Sequence, residues 1–142
     1  MSDFSALIEA GRLKPGRFSQ KQVADRLGLA RRDLATARRL MPDDHDWALS
    51  IAYNAMLQAG RALMLQRGFR PAGEGQHLTV IRFLESTLGK EGAHFIALMD
   101  RMRRKRNASV YDAAGMISRA EAAQAVENAE AFVDLIEKEI AP

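Results

Sequence analysis

Residues 19–41 read "SQKQVADRLGLARRDLATARRLM", and whether this stretch forms one helix or two decides between a helical bundle and a helix-turn-helix. Ser19 and Gln22 stand at capping-box spacing, where hydroxyl and amide each satisfy a backbone N–H that the first turn leaves orphaned. Val23, Leu27, Ala30, Leu34, Ala37 and Met41 then recur on one helical face. Gly28 is the only internal objection, and a glycine inside a helix costs only about 1 kcal/mol. The unbroken stripe predicts one continuous helix that ends at Pro42. The competing reading takes Gly28 as a turn and the arginine-rich stretch after it as a DNA-recognition helix, with a break at residues 28–30 as its signature.

Working outward, residues 47–67 are apolar around most of the helical circumference: Leu49, Ile51, Tyr53, Met56, Leu57, Leu63, Met64 and Leu65. Ser50, Asn54, Gln58 and Arg61 make one narrow polar stripe. A helix of this kind is buried on more than one side, which in so short a chain points to a partner surface as well as a core, hence a homodimer. "GFRPAGEGQ" follows as a Gly/Pro loop. His77, Val80, Ile81, Leu84 and Leu88 line a shorter helix stopping at Gly89, and Phe95, Leu98, Met99 and Met102 line the next. Ser118 and Glu121 repeat the capping-box spacing ahead of Ala122, Ala125, Val126, Ala129, Val133, Ile136 and Ile140. No period-two strand or internal repeat appears. The expected fold is all-α, a mostly antiparallel bundle of four main helices plus a short extra one, with residues 1–18 as an N-terminal extension and 19–142 as the domain.

The chain has 142 residues, 47% hydrophobic, 27% charged and 6% aromatic, the profile of one soluble globular domain. It has no Cys, which excludes disulfides, thiolate zinc sites and a cysteine nucleophile. No targeting segment or membrane span is read, so a soluble cytoplasmic protein is expected. His45, His77 and His94 stand at no recognisable metal-ligand spacing, and Gly73 and Gly75 lack the Lys-Ser/Thr of a phosphate loop; neither metal nor cofactor is expected. Net charge is only +3, so a nucleic-acid reading must rest on clustering.

The clustering lies in "RMRRKRNASVYDAAG", residues 101–115, where Arg103, Arg104, Lys105 and Arg106 are consecutive. At 100° per residue, Arg106 falls within about 20° of Phe95, inside the apolar stripe. An inward guanidinium needs carboxylate, carbonyl or phosphate partners. The ordinary reading is a solvated helix end, where cations suit the dipole. His77 reads as a helix-start or core histidine, with a catalytic role complementing Tyr111 as its second option.

The same stretch, followed by "SRAEAAQAVENAEAFVDLIEKEI", resembles the C-terminal half of a HEPN domain, and "YNAMLQAGRALMLQRGFRPAGEGQHLTVIRFL" resembles that family's second helix, loop and third helix. The resemblance spans about residues 20–140. Ribonuclease members carry Arg, usually Asn, three variable residues and then His. Arg106 and Asn107 match the opening, Val110 fits the apolar position before the His, and Tyr111 stands where the His would be. Starting the motif at Arg104 instead puts Ser109 at the His position and discards the Arg-Asn pair. The resemblance implies a site of Arg106, Asn107 and Tyr111, with Arg103, Arg104, Lys105 and Arg106 gripping RNA or a nucleotide without metal, in a cleft shared by a homodimer. Because a tyrosine with a pKa near 10 is a poor base at neutral pH, cleavage is expected to be weak or absent. The family also implies a toxin–antitoxin setting. Two alternatives remain: a non-catalytic module partnering a nucleotidyltransferase, and a DNA-binding regulator using the first helix.

Overall fold

The computed structural model describes residues 4–111 and 115–141, apart from the side chains of Val110 and Tyr111. The elements run α1 (Ser5–Glu9), β1 (Leu13–Pro15), α2 (Gln20–Leu40), α3 (His45–Gln66), β2 (Phe69–Pro71), α4 (Gln76–Tyr111) and α5 (Arg119–Ile140). Both capping boxes form. Ser19 Oγ accepts from the Gln22 N–H at 3.1 Å while Gln22 Oε1 accepts from the Ser19 N–H at 2.8 Å. Ser118 and Glu121 do the same at the head of α5. Helix α2 passes through Gly28 without a break, so the two helices that a helix-turn-helix requires are one here.

Cross-helix partners set the directions. Arg26 donates to Gln58 at 2.9 Å and Asn54 donates to the buried Asp33 at 2.8 Å, a descending register that makes α2 and α3 antiparallel. Arg31 pairs with Asp134 and Glu137 and Arg38 with Glu130, which makes α2 and α5 antiparallel as well. Helix α3 is the centre of the bundle and packs on α2, α4 and α5. Its Tyr53, Met56, Leu57, Leu63 and Met64 are fully buried. Each such side chain contributes about 1.5–3 kcal/mol on removal from water. At Gly60 the α3 backbone comes so near α4 that a Cβ would sit 2.8 Å from Val80 Cγ1 and 2.9 Å from Leu84 Cδ1.

The bundle is all-α, as expected. Two features shape the surface. First, beside the bundle β1 and β2 pair as a short antiparallel ribbon that no strand pattern announced, Leu13 opposite Pro71 and Pro15 opposite Phe69, extended by hydrogen bonds of 2.9 Å from Gly16 N to Gly68 O and from Ala72 N to Arg12 O. Each strand spans three residues and includes a proline, so no alternation announces it. The ribbon ties residues 4–18 to the bundle, with Leu13 buried and the Phe4 ring stacked on Phe83 at 4.9 Å. Second, α4 breaks at Gly89, whose φ of +57° and ψ of −138° belong to glycine. Its two arms, residues 76–88 and 90–111, fold back beside one another and line one cavity of about 310 Å³, with Leu78 and Ile81 from the first arm and Ile96 and Asp100 from the second. No helix among the described residues is long and apolar enough to cross a membrane.

Candidate functional site

In the second arm of α4, Ile96, Met99 and Met102 are buried and fix the helical phase. That phase turns Arg103 and Arg106 partly inward and leaves Arg104 outside. Three of the four consecutive cations already have carboxylates. Arg103 pairs with Asp100 at 3.1 Å, Arg104 pairs with the same residue, and Lys105 reaches across to Glu121 of α5. The Arg103 hydrogen bond, with Arg104 beside it, holds the Asp100 carboxyl below its ordinary range; Lys105 and then the Ser118 cap do the same for Glu121. Arg106 differs: it is half-buried, and no carboxylate among the described residues pairs with it. Its carbonyl accepts from the buried Ser109 hydroxyl at 3.2 Å. Asn107 beside it is half-buried. The Tyr111 side chain lies outside the described residues.

The fold-back at Gly89 brings the head of the first arm toward this motif, and with it His77. The imidazole meets the Tyr53 ring of α3 edge-on, centroids 5.8 Å apart. Tyr53 is fully buried, and its hydroxyl has no hydrogen-bond partner among the described residues; nor has the buried Arg103 Nε. Burial pushes the Tyr53 pKa up to about 12, against the opposing pull of Arg103 and Arg106, so the hydroxyl stays a neutral donor. Burial also lowers the His77 pKa, reinforced by the charges of Arg61, Arg106 and Arg103. His77 is therefore neutral at pH 7 and has a lone pair to offer.

The result is a half-buried niche of three guanidiniums, one unpaired hydroxyl and one neutral imidazole. It can hold an oxyanion and accept a proton beside it. Of the residues singled out from sequence, Arg103 and Arg106 are brought together here, while Arg104 and Lys105 are directed to carboxylates at the helix surface. Tyr53 and Arg61 were missed. Arg61 was visible as the end of the α3 polar stripe, whereas nothing local marks Tyr53 apart from the apolar residues around it.

A family model described as HEPN domain matches residues 23–140. The chain belongs to the HEPN domain family. The HEPN match takes in α2 from its first turn to the last residue of α5, so the niche lies wholly inside it. The crystal structure of TT1696 from Thermus thermophilus is similar in fold, with a TM-score of 0.66 and 23% identity over 82% of this chain and 97% of that one. No curated protein matches the sequence. In this HEPN domain, His77 at the head of α4 lies within reach of the charges of Arg103 and Arg106.

Proposed function

We propose that this HEPN-domain protein binds single-stranded RNA as a homodimer in the cytoplasm, with weak or absent metal-independent cleavage, as the RNA-directed member of a toxin–antitoxin pair whose partner is a nucleotidyltransferase. The observation that carries the reading is Arg106, a half-buried guanidinium without a carboxylate among the described residues, beside the unpartnered Arg103 Nε and Tyr53 hydroxyl. A phosphodiester oxygen supplies the counter-charge that Arg106 lacks, and charge-assisted hydrogen bonds of this kind are the strong ones. Slow cleavage follows from the same groups. His77 takes the proton from a 2′-hydroxyl, the O2′–P bond forms as P–O5′ breaks, and water returns a proton to the leaving 5′-oxygen. Tyr111 offers a hydroxyl where the ribonuclease motif has an imidazole, so this step lacks its usual acid–base partner.

The dimer reading draws support from Trp47 and Met116, 56% and 57% exposed. A hydrogen bond of 2.7 Å from the Gly115 N–H to Asp46 brings their two turns together at the motif end of the bundle. Exposed large apolar side chains in one place suit a partner surface.

The test is a titration of labelled RNA followed for both retention and length on a gel. Arg106→Ala is expected to weaken binding at least about tenfold, with Tyr111→Phe changing it much less. Rapid cleavage by the wild type, or unchanged binding by Arg106→Ala, would overturn the assignment.

A further inference from the structure

Residues 4–18 precede the stretch that the HEPN match covers, and they are fastened to the loop that delivers His77. The Ala72 N–H donates to the Arg12 carbonyl at 2.9 Å, and the Arg12 guanidinium reaches over the turn to donate to the Glu74 carbonyl at 3.0 Å. The next carbonyl, that of Gly75, accepts the Thr79 N–H at 3.1 Å and closes the first turn of α4 around His77. The approach is close. A Cβ on Gly73 would sit 3.0 Å from the Gly11 carbonyl oxygen, and one on Gly75 3.0 Å from Arg12 Nη1. Both glycines have positive φ, +66° and +67°, and glycine loses more backbone freedom on ordering than any other residue. Left to itself, such a loop would hold the head of α4 loosely. A second fastening is aromatic: Phe4 stacks on the buried Phe83 of the first arm of α4 and meets Phe69 of β2 edge-on at 5.3 Å.

We propose that residues 4–18 form a clasp that sets His77 in the niche, with Arg12 as a positioning residue. That the position of His77 matters to function rests on the RNA reading, whereas the fastening does not. Arg12 is exposed and bonds the Glu74 carbonyl, so it acts through the turn that follows and not on the niche directly. Of the cations around His77, Arg61 belongs to α3, and Arg103 and Arg106 to the second arm of α4. A head of α4 that came loose would carry His77 away from them and toward water. The core contacts of the first arm, Val80 and Leu84 against α3 at Gly60, lie further along and would remain. Helix ends open at far lower cost than the core does, so the clasp acts where the fold is weakest.

The test is amide hydrogen exchange and NMR titration of His77 on the full chain in phosphate-free buffer. Arg12→Met is expected to speed exchange of the Thr79 amide at least about threefold, as loss of one hydrogen bond implies, and to move the His77 titration up toward its ordinary value. The Met56 amide in the middle of α3 should keep its rate. Arg12→Lys, which retains a charged donor on a long stem, should restore most of both effects. Arg17→Met, which removes an exposed charge from the same segment, should produce neither, and so separates fastening from loss of charge. A His77 titration that stays fixed in Arg12→Met, equal shifts in Arg17→Met, or a Met56 rate that rises as much as that of Thr79 would overturn the clasp. So would a failure of Arg12→Lys to restore the wild-type values. If the expected shifts appear while Arg106→Ala leaves RNA binding unchanged, the RNA reading falls and the clasp stands.

Discussion

The flank where α2 meets α5 and the side where α2, α3 and the head of α4 meet are both rich in arginine, and they are opposites. On the flank, Arg31 faces Asp134 and Glu137, Arg38 faces Glu130, and Arg67 at the end of α3 lies 3.6 Å from Glu139. On the other side, Arg26, Arg61, Arg70 and Arg106 are paired with no carboxylate among the described residues, and Arg26 donates only to the Gln58 amide. The flank is electrostatically finished, and exposed pairs of this sort contribute about 0–1 kcal/mol each. The other side still needs an anion. An arginine count cannot separate the two, because the difference lies in what stands opposite.

The largest effect that would break this contrast is on RNA. Arg106→Ala should reduce affinity at least about tenfold while Arg38→Ala changes it less than about twofold, read by fluorescence anisotropy at fixed salt; equal losses would mean that only net charge matters. Next comes assembly. Trp47→Glu should shift a dimer to monomer in light scattering at micromolar concentration, since a charge replaces an exposed apolar anchor; a wild type that is already monomeric sinks the dimer reading. Third, Arg61→Met should raise the melting temperature by about 3 °C, because a half-buried cation without a counter-charge is exchanged for a side chain of similar reach. Arg38→Ala should lower it by a smaller amount.

The smallest effect concerns pH. His77 is held below its ordinary pKa in the fold, so unfolding allows it to take up a proton. Its contribution to stability is therefore present above about pH 6.5 and is lost as the pH falls from there toward the folded value. His77→Gln should lose less stability than the wild type between pH 7 and pH 5, measured as the shift in urea midpoint. Adding phosphate should move the His77 titration, followed by NMR, back up toward its ordinary value. A fixed titration would place the anion elsewhere.

What could be read in the sequence was what local geometry controls. Ser19 with Gln22, and Ser118 with Glu121, announce helix starts because the partners are three residues apart. The continuity of α2 through Gly28 was legible because the apolar stripe keeps its phase on both sides. The inward turn of Arg106 came from the same arithmetic. The claim of Asp100 on Arg103 and Arg104 was also within reach, at spacings of three and four. The ribbon was not legible, since Leu13 and Pro71 are far apart in the chain and neither strand alternates. Nor was the meeting of Tyr53, His77 and Arg106, which depends on how three helical segments pack. His77 could be noticed as a candidate, but no spacing rule joins it to the motif.

The break at Gly89 has a consequence of scale. His77 and Arg103 are separated by 26 positions, and along a straight α-helix that separation is about 39 Å, far beyond the reach of any side chain. One residue's pair of dihedral angles removes that distance. The space around Gly89 is open enough for a Cβ, but its φ is not one that a side chain tolerates. Every other residue of α4 could keep its preferred conformation and the niche would still be lost if this joint straightened. The site thus rests on a position that carries no chemistry of its own, and a search confined to reactive side chains would pass over it.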